Sequence, residues 1–252
     1  MKEEKDIKEF VKKRYGEYAS RMGCCDCSTD IKEKKSTLDY SKDEISTIPL
    51  ESTMLGAGCG NPTALAEIKE GEIVLDLGSG GGIDVFLAAE KVGEKGKALG
   101  VDMTPEMIKK ARENAKKGNY KNVEFRLGEI EKLPIDDESI DVIISNCVIN
   151  LSPDKLATFK EAYRVLKPNG RMLISDLVTE GELPPEIKKS FDAWAGCVAG
   201  AMERNEYLNT IKKAGFKDIE IVKEHPFSEV EMNDRLKGKI ISVQVKAYKL
   251  KN

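Results

Sequence analysis

The chain has 252 residues, of which 40% are hydrophobic and 34% are charged, and its formal net charge is −3 at pH 7. This length suits one soluble α/β domain with a modest extension. Lysine and glutamate are interspersed along the sequence and form no basic block that would attract nucleic acid or a membrane surface. We therefore expect neither of these partners.

The N-terminal residues 1–20 are too rich in charge for a signal peptide, and no apolar run approaches the roughly 20 residues that a membrane span needs. Six cysteines without secretory signals are typical of thiols that stay reduced for ligand binding or redox chemistry. We expect a cytoplasmic protein that acts as a monomer.

The predicted elements begin with an amphipathic helix that ends near Ser20, followed by an irregular loop from Gly23 to about Leu50. Strands and helices then alternate. We predict strands at 73–77, 98–102, 123–127, 140–145 and 172–177, and helices at 83–91, 104–117 and 153–166. Thr104 should cap the second of these helices, with Pro105 at its first position. The alternation predicts an α/β fold with a Rossmann-like, doubly wound, mostly parallel sheet.

The C-terminal part should add a helical stretch around 191–202, a helix over 206–214 that ends in Gly215, and strands at about 218–223 and 240–250. The alternating pattern of the last strand predicts a half-exposed, antiparallel edge strand. We expect three parts: a helix and cysteine-bearing loop over 1–55, a cofactor-binding core over 56–180, and substrate-side helices with closing strands of the same sheet over 181–252.

A glycine cluster, Gly78–Gly82, directly follows the predicted strand 73–77 and precedes a helix, as in turns that hold nucleotide-like ligands. Ile83 stands where a dinucleotide fingerprint has its third glycine, so NAD fits less well. Asp76 and Asp102 end neighbouring strands and can accept hydrogen bonds from an amino group and from ribose hydroxyls. This acidic lining suits the cationic S-adenosylmethionine better than a pyrophosphate. A tight turn without a ligand is the alternative.

Further candidate cofactor-binding residues lie at the same edge of the sheet. After the third strand, Glu129 could grip an adenine together with the aliphatic Ile130, and Asn146 follows the fourth strand. A solvated loop acid is the alternative for Glu129, and an unligated turn asparagine is the alternative for Asn146. The complete set of candidates is Asp76, Gly78, Ser79, Gly80, Asp102, Met103, Gly128, Glu129, Ile130 and Asn146.

Cys147 comes directly after a predicted core strand, at the edge where a reactive methyl group would lie. Taken singly, a cysteine is more often a small buried hydrophobe. Cys59 and Cys197 also lie in unusual segments, GCGNP and WAGCVAGA.

These segments give the chain a specific resemblance to the arsenite methyltransferase family, from about Gly56 to Phe216. The resemblance rests on GCGNPTALAE, VLDLGSGGGIDVFLAA, GVDMTPEMIKKARENAKK, NVEFRLGEIEKLP, DVIISNCVINLSPDK, YRVLKPNGRMLISD and WAGCVAGA. It implies an enzyme that moves a methyl group from S-adenosylmethionine to trivalent arsenic, in arsenic detoxification. The implied substrate is arsenite or its thiol conjugate.

By position, Cys147 and Cys197 correspond to the family's arsenic-binding pair, and Cys59 corresponds to a further family cysteine that could be a third ligand. The resemblance also implies that Cys59 and an N-terminal cysteine, one of Cys24, Cys25 and Cys27, close disulfides during turnover. An external thiol, thioredoxin or glutathione, would reset them. Which of the three N-terminal cysteines takes part, and how many methyl groups are added, stay open.

The chemistry of arsenic supports this interpretation independently. Trivalent arsenic is soft and thiophilic, so thiolates are its natural ligands, and the bound atom keeps a lone pair that can attack a methyl group in line. The single histidine, His225, lies beside Pro226 in a C-terminal strand-like segment, so a mechanism that needs a histidine base would be poorly served.

Three alternatives remain. A structural zinc site at Cys24–Cys27 would need a second cysteine pair, which the sequence lacks. A carbon or oxygen methyltransferase acting on a small organic substrate would share every cofactor motif and leave the cysteines passive. A non-catalytic sensor or sequestering protein would bind arsenic without methylating it.

Overall fold

The computed structural model describes residues 2–21, 40–53, 58, 60–183, 185–188, 190, 194, 197–227 and 239–251. Within this part of the chain, no helix has both the length and the apolar character needed to cross a membrane. The described residues build one central sheet with helices on both faces.

The strands are β1 Ile73–Leu77, β2 Lys97–Asp102, β3 Val123–Leu127, β4 Ile140–Asn146, β5 Leu166–Thr179, β6 Met202–Glu203, β7 Lys217–Pro226 and β8 Ile240–Tyr248. They form an eight-stranded sheet in the order β3-β2-β1-β4-β5-β8-β7, with β6 paired to β5. The first five strands are parallel, whereas β8 is antiparallel to both β5 and β7. The predicted Rossmann-like, mostly parallel sheet is confirmed.

The helices are α1 Lys2–Arg21, α2 Lys42–Ser46, α3 Leu50–Thr53, α4 Pro62–Leu65, α5 Ile83–Val92, α6 Pro105–Lys117, α7 Lys155–Val165, α8 Pro185–Lys188 and α9 Arg204–Lys213, with a 3₁₀ turn at Ile149–Leu151. The chain leaves β1 toward β2 and β3 on one side and later returns to β4 on the other side. The reversal of strand order opens a crevice at the carboxyl ends of β1 and β4, where folds of this kind bind ligands.

Two apolar layers hold the helices to the sheet. Because side chains alternate along a strand, Val74 of β1 joins the layer that contains Phe86 of α5, while Leu75 joins the layer that contains Phe159 of α7. All four side chains are buried. Burial of β1 on both faces explains why it is a continuous apolar run interrupted only by Asp76 near its carboxyl end.

Most predicted elements agree with the structure to within a few residues, but the cap of α6 differs in its chemistry. Thr104 occupies the N-cap position and Pro105 begins the helix, as predicted, yet the Thr104 side chain makes no capping hydrogen bond. The Asp102 carboxylate accepts the Thr104 backbone N–H instead, with an N–O distance of 2.8 Å. The end of β2 and the start of α6 are therefore tied together.

The prediction that residues 240–250 form an edge strand is wrong, although their antiparallel pairing is correct. Strand β8 is largely buried between β5 and β7, and β7 forms the exposed edge. The polar residues of β8 produced the alternating pattern. Lys246, for example, reaches past the sheet to Glu67, with 2.9 Å between Nζ and Oε1.

Two further segments differ from expectation. In the stretch predicted as helical around 191–202, Trp194 is helical as expected, but residues 197–201 form turns and Met202 begins β6. Residues 191–193 and 195–196 lie outside the described residues. The end of the segment predicted as an irregular loop contains α2, which a capping box between Ser41 and Glu44 begins. Residues 22–39 of that loop lie outside the described residues.

Candidate functional site

The glycine turn between β1 and α5 forms one wall of a cavity at the carboxyl edge of the sheet. Gly78 has a positive φ of 71°, and a Cβ at this position would lie 2.4 Å from the methyl groups of Val148. Only glycine lets the turn pass so close to the segment that follows β4. The Ser79 hydroxyl beside it is buried and has no hydrogen-bond partner among the described residues. The turn is thus a tight cradle with an unused polar group, which fits a polar ligand.

Asp102 lies across from this turn at the end of β2. Its carboxylate accepts the backbone N–H of Gly80 at 2.9 Å and that of Thr104 at 2.8 Å. Burial still raises the pKa of Asp102 above its ordinary value. The hydrogen bonds fix the carboxylate at the rim of the cavity, in a position suited to ribose hydroxyls.

Asp76 and Asp84 are two buried carboxylates in the same cavity. Burial raises the pKa of Asp76 well above its ordinary value, and the neighbouring Asp84 and Asp102 raise it further. Burial also raises the pKa of Asp84, to about 6. Sequence reasoning missed Asp84, which is the second residue of α5. A group of carboxylates in this setting is suited to a cationic ligand.

The wall nearest β3 consists of Met103, Gly128 and Ile130, with Met107 from α6. Glu129 does not line the cavity; its side chain is 57% exposed and forms an ion pair with Lys8 of α1 at 2.8 Å. Among the acids that follow β3, Glu131 lines the cavity instead, and sequence reasoning missed it. The apolar wall could accept an adenine, but the structure places Glu129 outside it.

Asn146 organises the opposite end of the cavity, next to β4. Its side-chain nitrogen donates to the Gly60 carbonyl at 2.6 Å and to the Tyr40 hydroxyl at 3.1 Å. Its side-chain oxygen accepts the Gly60 N–H at 3.2 Å. A Cβ on Gly58 would overlap the same amide group, at 2.3 Å. Asn146 therefore holds the residues on both sides of position 59 against the site.

Helix α1 covers the cavity from above. Lys8, Val11 and Tyr15 contribute to its lining. Lys8 also binds Glu131, with 3.0 Å between Nζ and Oε1, and Glu131 accepts the hydroxyl hydrogen of Ser152 at 2.6 Å. A chain of polar contacts therefore links the N-terminal helix to the segment after β4.

Cys147 and Cys197 meet beside this cavity, and both are buried. Cys147 lines the cavity, and the Cys197 thiol donates a hydrogen bond to the Cys147 carbonyl at 2.8 Å. Both cysteines have the left-handed backbone conformation, with φ of 57° and 63°. Non-glycine residues adopt it rarely, and it often occurs at functional sites. The sequence-predicted pair is therefore brought together.

The two cysteines differ in oxidation state. Cys197 is a thiol, whereas Cys147 is joined in a disulfide bond. The expectation that the cysteines are reduced thus does not hold for Cys147 in this form of the protein. The disulfide must be reduced before both sulfur atoms can bind a ligand. The other predicted cysteines, Cys24, Cys25, Cys27 and Cys59, lie outside the described residues.

A buried polar network supports the two cysteine-bearing turns from behind. The Lys155 ammonium donates to the Ser152 carbonyl at 2.9 Å and lies 5.5 Å from the centre of the Trp194 ring. Asp176 accepts the Tyr207 hydroxyl at 3.1 Å. Burial lowers the pKa of Lys155 to about 8 and raises that of Asp176 to about 7. Lys155, Asp176 and Trp194 lie within the family motifs quoted above, but nothing in those motifs indicated that they form a buried polar network.

Comparison with known proteins agrees with this geometry. Residues 68–215 match the model of a methyltransferase domain family. The chain is 46% identical over 230 residues to the arsenite methyltransferase of Halobacterium salinarum, covering 86% of this chain and 59% of that protein. It is 38% identical over 212 residues to the arsenite methyltransferase of Aquipseudomonas alcaligenes, covering 81% and 59%. It therefore spans about three fifths of the length of these relatives.

The fold is also similar to the crystal structure of an arsenic (III) S-adenosylmethionine methyltransferase from Chlamydomonas reinhardtii. The TM-score is 0.72 at 38% sequence identity, and the match covers 83% of this chain and 72% of that one. Asp76, Asp84, Asp102, Cys147 and Cys197 all lie within residues 68–215, which match the methyltransferase domain. The chain thus belongs to the arsenite methyltransferase family of S-adenosylmethionine-dependent methyltransferases.

Proposed function

We propose that this protein transfers a methyl group from S-adenosylmethionine to trivalent arsenic held by cysteine sulfur, with arsenite or its thiol conjugate as the substrate. One observation carries the proposal: the turns of Cys147 and Cys197 meet, with the Cys197 thiol 2.8 Å from the Cys147 carbonyl, and Cys147 lines the cofactor cavity. Two sulfur ligands at that place would hold a thiophilic atom beside the methyl donor.

The residues of the cavity fit the cofactor, and each has a proposed task. Asp76 would bind the ammonium group, Asp102 the ribose hydroxyls, and Ile130 with Met103 the adenine. When bound, S-adenosylmethionine supplies a methyl group on a positively charged sulfur. The covering helix α1, through Val11 and Tyr15, would exclude water from the reacting atoms.

The cysteines would hold the arsenic atom that receives the methyl group. Arsenic bound by thiolates keeps a lone pair, so the protein needs no general base to activate it. We propose Cys59 as a third sulfur ligand, because Asn146 fixes its neighbour Gly60 against the cavity through two hydrogen bonds. In the proposed division of labour, residues 181–252 supply Cys197 and residues 56–180 supply Cys147 and the cofactor site.

Methyl transfer oxidises arsenic from the trivalent to the pentavalent state, and two electrons must return to it. Two protein thiols can provide them by forming a disulfide, which an external dithiol or two molecules of a monothiol then reduce. The disulfide at Cys147 supports this part of the proposal. Cys59 and one of Cys24, Cys25 and Cys27 are the proposed partners in this cycle, with thioredoxin or glutathione as the reductant.

We place this activity in the cytoplasm, where such reductants keep thiols reduced. We propose that one chain is the working unit, since helix α1, the glycine turn and Cys147 of a single chain together line the cavity.

The test is transfer of a radiolabelled methyl group from S-adenosylmethionine to arsenite in the presence of a thiol reductant. The wild-type protein should yield methylated arsenic, identified by chromatography, and Cys147→Ser and Cys197→Ser should each lose at least about 100-fold in rate, because each removes one sulfur ligand. Both variants should still bind S-adenosylhomocysteine, which shows that they are folded. Unchanged methylation by these variants would refute the proposal, and arsenic binding without a methylated product would indicate a binding protein.

A further inference from the structure

The acidic part of the cavity contains more negative charge than the described residues neutralise. Asp76, Asp84 and Asp102 all line it, and none of the three forms an ion pair with a described lysine or arginine. Asp102 has two backbone N–H donors. Asp76 and Asp84 lie deeper, and Asp84 is close enough to raise the pKa of Asp76. Two buried carboxylates in this position need a proton or a cation between them.

Asp84 is held in place by long-range contacts. Its Oδ1 accepts the hydroxyl hydrogen of Tyr40 at 2.7 Å, and Tyr40 in turn accepts a hydrogen bond from Asn146 at 3.1 Å. The charged groups that also act on it are Glu44 and Lys91, but the Lys91 ammonium donates to a carbonyl of α4 at 2.8 Å. Within the described parts of the chain, the carboxylate is thus oriented but not neutralised, as a ligand-binding group would be.

The order of the strands tells which part of the cofactor would meet Asp84. The cavity runs along the carboxyl ends of β3, β2, β1 and β4. Ile130 follows β3 and Asp102 ends β2, so the adenine and the ribose belong to that side. Asp84 contacts Asn146 at the end of β4, so it lies at the opposite side, where the amino-acid part of the cofactor must extend.

We propose that Asp84 is a second binding residue for the α-ammonium group of S-adenosylmethionine, which it shares with Asp76 while Tyr40 and Asn146 orient it. This inference rests on the proposed function for the identity of the cofactor, but it needs no arsenic. Without the cofactor, the two carboxylates share a proton, and the ammonium group replaces that proton on binding.

The test is isothermal titration calorimetry of the full chain with two ligands. S-adenosylhomocysteine carries the ammonium group, whereas 5′-methylthioadenosine keeps the adenine, ribose and sulfur but lacks it. Asp84→Asn preserves the shape of the side chain and removes its charge. It should weaken binding of S-adenosylhomocysteine about tenfold or more and leave that of 5′-methylthioadenosine within about twofold.

Asp102→Asn is the matched control. It should weaken the binding of both ligands equally, because both contain the ribose that Asp102 would bind. The proposal would be overturned if Asp84→Asn lost affinity for both ligands equally, or lost affinity for neither. A much larger loss for S-adenosylmethionine than for S-adenosylhomocysteine would also overturn it, since Asp84 would then sense the charge on the sulfur.

A second measurement needs no variant. The wild-type protein should release up to about one proton per S-adenosylhomocysteine bound at pH 6, measured in buffers of different ionisation enthalpy. It should release none with 5′-methylthioadenosine, and equal release with both ligands would contradict the shared proton. Because neither experiment contains arsenite, a failure of the proposed methylation activity would leave both results interpretable.

Discussion

A Cβ atom added to Gly200 would lie 1.9 Å from the backbone oxygen of Asn150. The turn that carries Cys197 therefore packs directly on the 3₁₀ turn that follows Cys147. Asn150 is also held from the other side, because its side-chain nitrogen donates to the Leu177 carbonyl at 2.6 Å. The distance between the two cysteine-bearing turns is thus set by backbone contacts.

Gly200→Ala should push the two turns apart. Because the opposing atom belongs to the backbone, the clash cannot be relieved by a change of rotamer, and we expect a loss of about 1–3 kcal/mol in the free energy of unfolding. Arsenite binding, followed by quenching of Trp194 fluorescence, should weaken at least about tenfold. Binding of S-adenosylhomocysteine should stay the same.

Gly181→Ala is the control for this variant. Gly181 has a positive φ of 80°, but a Cβ there would meet no atom of the described residues within 4 Å. The Gly181→Ala variant should lose about 1 kcal/mol in the free energy of unfolding through backbone strain, and it should keep its affinity for arsenite. If Gly200→Ala bound arsenite as tightly as this control, the packing of the two turns would not control the arsenic site.

Asn146→Ala should release the segment around Gly60 from the site, since it removes both hydrogen bonds to Gly60 and the one to Tyr40. We expect methylation to fall at least about tenfold and the free energy of unfolding to fall by about 1–3 kcal/mol. Asn122→Ala is the matched control, because Asn122 makes two hydrogen bonds to backbone carbonyls far from the cavity, at 2.9 and 3.0 Å. Equal effects of both variants on methylation would show that Asn146 acts through stability alone.

Lys8→Ala should weaken cofactor binding severalfold, because Lys8 joins helix α1 to Glu129 and Glu131 at the edge of the cavity. The effect should shrink at high salt, since Lys8 remains partly exposed. The control is Lys5→Ala, which removes an exposed pair with Glu9 on the same helix. Titration of S-adenosylhomocysteine at low and high salt distinguishes the Lys8→Ala variant from the Lys5→Ala variant. Identical affinities of the two variants for this ligand would argue against α1 as a cover of the cavity.

The stability of the cofactor-free protein should depend on pH through Asp84. Its pKa is raised from 3.8 to about 6 by burial, while Tyr40 and Lys91 act against the rise and Glu44 adds to it; Asp84 in turn raises the pKa of Asp76. The folded state binds the proton more tightly than the unfolded state. The resulting stabilisation is complete below about pH 3.8 and is lost as pH rises through about 6, on the order of 3 kcal/mol.

Chemical unfolding of the wild type and of Asp84→Asn across this range isolates the contribution of Asp84. The difference in unfolding free energy should change between pH 4 and pH 6.5 and level off above. Parallel curves for the two proteins would mean that Asp84 does not titrate in this range. Saturating S-adenosylhomocysteine should reduce the slope of the wild type, because the bound ammonium group takes the place of the proton.

Local patterns were sufficient to predict most of the fold. Strand β1 was predicted with its observed bounds, Ile73–Leu77, because a short apolar run that leads into a glycine cluster is typical of a buried strand before a tight turn. The pairing of Cys147 with Cys197 was predicted from the family resemblance and agrees with the contact between their turns. These features depend on residues that are adjacent in sequence or on motifs specific to the family.

The features that were missed depend on distant contacts. Asp84 looked like an ordinary acid in the first turn of a helix, and its importance emerges only from the hydrogen bond to Tyr40, 44 residues earlier. The interior position of β8 could not be predicted either, because it depends on β7 pairing along its outer side. The capping box of Ser41 and Glu44, in contrast, was a local signal that the sequence contained.

The backbone conformation of Cys147 and Cys197 has a consequence for how this protein can change. Both residues occupy left-handed positions, which cost a non-glycine residue about 1 kcal/mol each. Glycine at either position would relieve that strain, so selection for stability alone would favour loss of the sulfur. The protein keeps both cysteines at the expense of stability, and a lineage no longer exposed to their ligand should lose these two residues early.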